Sequence, residues 1–392
     1  MMKTYKLSIG YGGKPLTTNI NIELKPGEFI VVIGPNASGK TTLLKTLSGL
    51  LKPLAGTVFI GGEELTRLSS RSRARRLGVV LTGRQEVEGM FVEEVVGLGR
   101  YPWTGPLHVI GRRGRDVVEK SMAKTGVLHL RSRRISELSD GQFQRVMIAR
   151  ALAQEPEILI LDEPTTHLDA RSRIEVIKLL RFLAHHENMT VVASTHELEL
   201  AFRFADRLIL LSEDGLTISE NPEELIASPS FTKAFGFDGE LTISPQTLTI
   251  EFRHNPENKG PTAFVIAGGG TGSKIIRQLL RKNYRVIAGV LHENDIDYVV
   301  ATALGVEVVA EKPFQKIGEK TFQQALGKMM DSDVVVYTNP PIGDINKQNL
   351  TLLQTAIQNN KPTFRTTAFP STAELIQTIQ THPRTLPLEL PP

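Results

Sequence analysis

The sequence predicts an α/β protein of two domains, on three observations. The apolar run Phe29-Ile30-Val31-Val32-Ile33 passes through a glycine-bearing turn into Thr42-Leu43-Leu44-Lys45-Thr46-Leu47, a strand–loop–helix unit. Strand and helix patterns then alternate over roughly the first 250 residues, after an opening of short strands. Beyond the polar, Pro-, Asn- and Gly-rich stretch 252–261 a second strand–helix rhythm begins, and the length of 392 residues suits two domains.

The turn of the first unit is Gly34-Pro35-Asn36-Ala37-Ser38-Gly39-Lys40-Thr41-Thr42, a full match to G-x-x-x-x-G-K-[ST]. Its glycines let backbone wrap closely around phosphate oxygens, and the following helix offers free N–H groups and a partial positive charge. In that pattern Lys40 reaches the β- and γ-phosphates and the Thr41 hydroxyl ligates Mg²⁺. The expected ligand is a nucleoside triphosphate, with Gly34, Asn36, Ala37, Ser38, Gly39, Lys40, Thr41 and Thr42 around its phosphates.

In the second rhythm, strands are expected at 262–267, 285–291, 306–310, 333–338 and 363–367. Helices are expected at 274–282, 297–304, 314–330, 346–359 and 372–380. Such alternation implies a smaller, doubly wound parallel sheet covered on both faces. The Pro-rich end, Pro387 to Pro392, is expected to be disordered.

Composition narrows the function classes. The chain is 40% hydrophobic and 22% charged, as in globular proteins. It has no apolar run long enough for a spanning helix, and its first residues lack the apolar core of an export signal. The absence of cysteine excludes disulfides and thiolate metal sites, and suits a reducing cytoplasm. The net charge of +4 is spread over both parts, so no nucleic-acid partner is expected. The basic run from Arg67 through Arg71, Arg73, Arg75 and Arg76 reads as a solvated helix face, with an interaction surface as the alternative.

Four further segments decide among triphosphate-binding families. Leu138-Ser139-Asp140-Gly141-Gln142 resembles the LSGGQ signature of ABC ATPases, with Asp140 in place of the first glycine. Ile158-Leu159-Ile160-Leu161-Asp162-Glu163 is similar to their Walker B strand, Thr166-His167-Leu168-Asp169 to their D-loop, and Val192-Ala193-Ser194-Thr195-His196 to their switch-histidine strand. The chain is thus identified as a member of that family over about residues 1–255. The resemblance implies a P-loop NTPase domain with a helical subdomain. The residues beyond it carry no such family likeness: their own pattern gives a linker at 256–262 and a Rossmann-like domain at 263–392, for which regulation of the ATPase is the hypothesis.

The resemblance also implies roles. Asp162 would hold Mg²⁺, a hard cation suited to carboxylate oxygen. Glu163 would polarise the attacking water, and His196 would bond the γ-phosphate. Tyr11 would stack on adenine. Ser139, Gly141 and Gln142 would act on the ATP of a second copy, in a head-to-tail dimer, and Asp169 of the D-loop would belong to the nucleotide site. Asp140 would bring a carboxylate near that triphosphate unless it turns away or pairs with a base such as Arg145. The glutamine that usually completes the metal site is open between Gln85 and the position held by Thr82.

The segment Leu98-Gly99-Arg100-Tyr101-Pro102-Trp103-Thr104-Gly105 looks like the LGRxPxxG stretch of importers for iron-siderophores, haem and vitamin B12. That likeness implies a subunit on the cytoplasmic face of the membrane. It would energise a separate permease, served in turn by an extracytoplasmic substrate-binding protein. Trp103 would belong either to the core or to the permease-facing surface. The competing class is a non-transport ABC ATPase of the repair or translation type. Repair members insert a long coiled coil between phosphate loop and signature, for which this chain has no room, and translation members carry two cassettes.

In the second domain Ala267-Gly268-Gly269-Gly270-Thr271-Gly272-Ser273 lies between a strand and a helix, the place of a dinucleotide or phosphate loop. Two more polar loops, His292-Glu293-Asn294-Asp295 and Asn339-Pro340-Pro341-Ile342-Gly343-Asp344, follow the neighbouring strands. One reading is a sensor of a nucleotide or of the transported compound. The other is that the glycines tighten a turn while Asn and Asp cap helices.

Overall fold

The computed structural model describes residues 1–81, 89–104, 109–236, 241–243, 250–252 and 260–381. The expectations for Thr82, Gln85, Gly105, residues 256–259 of the linker and the Pro-rich end lie outside them. The chain divides into two compact units, Met1–Gly236 and Phe237–Pro392. Among the described residues no helix is long and apolar enough to cross a membrane.

The first unit is built on a six-stranded sheet in the order Gly215–Ser219, Arg207–Ser212, Phe29–Ile33, Thr190–Ser194, Ile158–Leu161, Leu77–Val80. All neighbours are parallel except the antiparallel edge strand Gly215–Ser219. Every residue of Phe29–Ile33, Ile158–Leu161 and Thr190–Ser194 is buried. That is why these segments read as unbroken apolar, β-branched runs. The three strands are adjacent, so the loops at their carboxyl ends meet: the phosphate loop, the Asp162-Glu163 pair, and the Thr195-His196 pair.

A mostly antiparallel sheet of Lys14–Ile20, Met2–Tyr11, Glu23–Leu24, Ala55–Ile60 and Glu63–Glu64 accompanies this one. Their shared core includes Ile9, Leu24, Leu43, Leu47, Ile60, Ile160 and Ile209. The helices Val92–Gly97, Arg112–Lys124 and Asp140–Leu152 pack on one another and form the helical part. The helix after the phosphate loop begins at Lys40, two residues before the expected start, because Gly39 in the left-handed region (φ 102°) closes the loop there.

The second unit holds a five-stranded, all-parallel sheet in the order Glu307–Glu311, Arg285–His292, Thr262–Ile266, Val334–Tyr337, Thr363–Arg365. One face is covered by helices Ser273–Arg281, Ile296–Ala303 and Thr372–Thr381, through Ile275, Leu279, Ala301, Leu375 and Ile379. The other is covered by Glu319–Asp331 and Gln348–Gln358, through Met329, Leu352, Leu353 and Ala356. The sheet is doubly wound, as the alternation implied. A short hairpin, Leu241–Ile243 with Ile250–Phe252, also belongs to this unit.

In this unit three boundaries differ from expectation by more than one residue. The helix expected at 314–330 starts at Glu319, because Phe314 takes a positive φ of 60° and the Ile317 N–H bonds Ile345 O, carrying Ile317 into the core. The helix expected at 346–359 is Gln348–Gln358, preceded by turns. The strand expected at 363–367 stops at Arg365 and continues as the 3₁₀ turn Thr366–Ala368.

Candidate nucleotide site

The phosphate loop is shaped by close backbone contacts. A Cβ on Gly34 (φ 154°) would lie 2.2 Å from Leu211 O, so only glycine fits there. Ala37 and Gly39 also have positive φ. The Lys40 ammonium is buried and donates to Gly34 O (2.8 Å) and Pro35 O (2.9 Å). Burial lowers its pKa from the ordinary lysine value, and the nearby Glu163 and Asp162 carboxylates offset part of that. The buried Ser38 Oγ has no hydrogen-bond partner among the described residues. A phosphate oxygen is the group that such an orphaned hydroxyl and a ring of loop N–H groups suit.

The acids of the neighbouring strand are tied to this loop. Asp162 Oδ1 accepts from Thr41 Oγ1 (3.1 Å) and from Ser194 Oγ (2.7 Å). The same Ser194 hydroxyl accepts from Glu163 N at 2.9 Å. Ser194 therefore sets the positions of both acids, a role its sequence context did not reveal. Glu163 sits in the left-handed region (φ 48°), which costs a non-glycine residue about 1 kcal/mol. Its Oε2 accepts from Thr166 Oγ1 (3.0 Å) and lies 3.6 Å from His196 Nδ1. Glu163 and His196, 33 positions apart in sequence, thus face one another.

Glu197 ties the following segment together: it accepts from Thr165 Oγ1 (3.0 Å) and pairs with Arg173 (2.6 Å). Asp169 caps the helix Ala170–Glu187 through the N–H groups of Arg171 and Ser172, and accepts from Ser172 Oγ at 2.7 Å. These bonds, those from Ser172 foremost, hold its carboxyl below the usual carboxylate range.

The signature residues open the helix Asp140–Leu152. Ser139 caps it in a reciprocal box with Gln142: Gln142 N donates to Ser139 Oγ (3.3 Å) and Ser139 N to Gln142 Oε1 (3.1 Å). Gly141 abuts the helix Ala170–Glu187, where a Cβ would lie 2.5 Å from Ser172 Oγ. Asp140 occupies the exposed first turn, where helix N-termini favour acids. Arg145, named above as a base for Asp140, lies 3.7 Å from Glu175. A cleft of about 530 Å³ is lined by Asp140, Phe143 and Met147 of this helix and by Asp162, Glu163 and His167. Tyr11 ends the first strand and is exposed.

The basic run is a helix, Ser70–Arg76, and more than a solvated face. Arg71 donates to Thr104 O (3.2 Å), Arg75 to Pro102 O (2.9 Å), and Arg76 pairs with Glu63 (2.7 Å).

The second glycine-rich loop is built the opposite way. Gly269 N donates to Asp295 Oδ2 (2.7 Å), Gly272 N to Asp297 Oδ2 (2.9 Å), and Ser273 N and Oγ to Asp297 Oδ1 (2.8 and 2.6 Å). Asp297 is fully buried. The donors that would hold a phosphate are filled by carboxylates of the next strand–helix loop. Thr271 and Thr338 bond each other (2.6 Å) across the point where strand order reverses.

Comparison with known proteins follows this division. The family model described as ABC transporter matches residues 17–166. An uncharacterised ABC transporter ATP-binding protein of Methanocaldococcus jannaschii, MJ0873, is 38% identical over 74% of this chain and 99% of its own length. The chain belongs to the ATP-binding subunits of ABC transporters. This ABC subunit is an ATPase. It is 31% identical to the cobalamin import ATP-binding protein BtuD of Halobacterium salinarum, over 81% of each chain. It is 38% identical to the ferric enterobactin transport ATP-binding protein FepC of Escherichia coli, over 59% of this chain and 85% of that one. Among solved structures, the dimeric ABC transporter cassette MJ0796 covers 56% of the ABC subunit and 98% of its own chain, at 29% identity and a TM-score of 0.50. A second family model, the MJ0874 family, matches residues 286–381 of the second unit.

Proposed function

We propose that this ATPase energises import of a metal chelate or corrinoid, of the iron-siderophore, haem or cobalamin class, through a separate membrane permease. One observation carries the reading. The match to the cobalamin import protein spans 81% of this chain, so it runs past the 236 residues of the first unit and well into the second.

In this reading the ATPase domain expected at 1–255 is carried by the unit Met1–Gly236, and the regulatory domain expected at 263–392 by the sheet that opens at Thr262. Lys40, Ser38 and the loop N–H groups hold the triphosphate, and Tyr11 stacks on the base. Thr41 and Asp162, both oxygen donors and already within hydrogen-bond distance, fit Mg²⁺. The ion, when bound, neutralises charge on the phosphates. Water attacks the γ-phosphorus, its oxygen forming the new P–O bond as the bond to the β-bridging oxygen breaks. Glu163 accepts the water proton; Thr166 bonds its carboxylate, and Ser194 holds its backbone N–H. His196 bonds the γ-phosphate.

Two copies close head-to-tail, each offering Ser139, Gly141, Gln142 and Asp169 to the other's ATP. The likeness to a dimeric cassette supports this arrangement. The dimer works on the cytoplasmic face of the membrane, and an extracytoplasmic binding protein delivers substrate to the permease. For the second domain, the filled loop donors favour a ligand without phosphate, such as the transported compound, over a nucleotide.

Purification of the full chain from its own membranes tests the proposal. Recovery with a polytopic membrane protein is expected. Recovery with ribosomes or DNA instead overturns it in favour of the non-transport class.

A further inference from the structure

The signature helix Asp140–Leu152 has 13 residues and so is about 20 Å long, a rigid rod with different partners at its two ends. Its first end carries Ser139, Gly141 and Gln142. Its last end is gripped by the turn Leu98–Trp103. A Cβ on Gly99 would lie 2.2 Å from Arg150 O, so the turn presses directly on the helix. Arg100, itself buried, donates to Ala153 O (2.7 Å) and pairs with Glu155 (2.8 Å). The indole N–H of Trp103 donates to Gln154 O at 2.8 Å.

The same tryptophan is held from a second direction. The guanidinium of Arg75 lies 4.4 Å from the ring centroid and that of Arg100 lies 5.2 Å from it, both within cation–π range. Arg75 also donates to Pro102 O, the residue before Trp103. The Gln154 side chain, with its amide nitrogen turned toward them, donates to Ala74 O (2.8 Å) and Leu77 O (3.0 Å). Arg75 and Ala74 belong to the helix Ser70–Arg76, which runs straight into the edge strand Leu77–Val80. That strand pairs with Ile158–Leu161, whose carboxyl end carries Asp162 and Glu163.

We propose that Trp103 is a positioning residue that ties the far end of the signature helix to the basic helix and, through its strand, to the chain's own catalytic acids. The inference rests on the reading that the signature meets the partner's ATP. If so, ATP in one composite site moves the rod, and the movement arrives beside the acids of the other site. A shift of the rod against Ser70–Arg76 must change either the Trp103–Gln154 bond or the Arg75–ring contact, because one ring cannot follow both. Arg75 is the partner that makes the ring sense the shift. Without it, the ring loses its own contact with Ser70–Arg76, and only the Gln154 side chain and the Arg71–Thr104 bond still join the two.

Trp103 is the only tryptophan of the chain, so its fluorescence reports this junction alone. The test uses the full chain carrying Glu163→Gln, titrated with ATP and Mg²⁺, reading dimer formation by light scattering and emission in parallel. Expected is a saturable emission change with the same ATP midpoint as dimer formation, and neither signal with ADP. In the chain carrying Arg75→Gln as well, dimer formation at the same ATP concentration with loss of the emission change is expected, and Arg75→Lys restores part of it. Dimer formation with unmoved emission overturns the inference while leaving the dimer reading intact. An emission change of undiminished size in the chain carrying Arg75→Gln also overturns it. Failure to dimerise with ATP overturns the dimer reading and the inference with it. Thermal melting of each variant, with the midpoint unchanged by Arg75→Gln, separates a positioning role from a loss of fold.

Discussion

The molecule contains two glycine-rich loops, each between a parallel strand and a helix, and they have opposite electrostatics. At Gly34–Thr42 the lysine bonds loop carbonyls, a serine hydroxyl is unpartnered, and no carboxylate bonds the loop N–H groups among the described residues. At Gly268–Ser273 the corresponding donors are satisfied by Asp295 and the buried Asp297. An incoming phosphate would complete the first loop, whereas at the second it would have to displace two carboxylates and meet their repulsion. The same local fold thus leaves a cradle suited to an anion in one unit and a self-capped turn in the other. Glycine spacing is therefore a weak guide to ligand, because what the neighbouring loop supplies decides the charge of the cradle.

That contrast can be broken by experiment. The largest effect expected is that of Glu163→Gln, which lowers ATP hydrolysis by about 10²–10⁴-fold while retaining ATP-dependent dimer formation. Phosphate release and light scattering measure the two, and rapid turnover by this variant would refute the assignment of Glu163 as the base. Next, Lys40→Ala is expected to weaken ATP binding about 10–10²-fold, with calorimetry on the unmutated chain giving one nucleotide per chain. A second nucleotide site that survives Lys40→Ala would show the Gly268 loop to be open after all.

Asp297→Ala sharpens the other side. It strips the buried acceptor from Gly272 N and Ser273 N and is expected to destabilise the second unit by about 3 kcal/mol. Urea unfolding followed by circular dichroism checks this, and an unchanged midpoint would make the carboxylate dispensable. The smallest effect is that of Asp140→Gly. The side chain sits in an exposed first turn, so the substitution is expected to leave ATPase activity intact or to raise it. A large loss would give Asp140 a positive role at the signature.

Much of the first unit was legible because several rules agree there. The strand Phe29–Ile33 is apolar throughout and is buried throughout, and the loop after it must turn on glycines. The Ser139–Gln142 capping box likewise follows from residue types three positions apart. What escaped notice were contacts between segments distant in sequence. Nothing in local pattern tells that Ser194 bridges Asp162 and Glu163, and by pattern Arg75 fits a solvated helix face or an interaction surface alike, whereas the structure sets it over Trp103. The start at Glu319 was missed because a buried Ile317 in an extended run looks, to helical periodicity, like another helix position.

By itself the sequence determined the two α/β units, the order of their elements and the phosphate loop with its lysine, since these depend on local pattern and on backbone geometry that only glycine allows. Only the tertiary structure decided which loops meet at the sheet's carboxyl edge and which residue holds each acid. It also decided that the second glycine-rich loop is filled from within. The physical reason is that hydrogen bonds and charges act over a few ångströms in space, and sequence separation is blind to that distance.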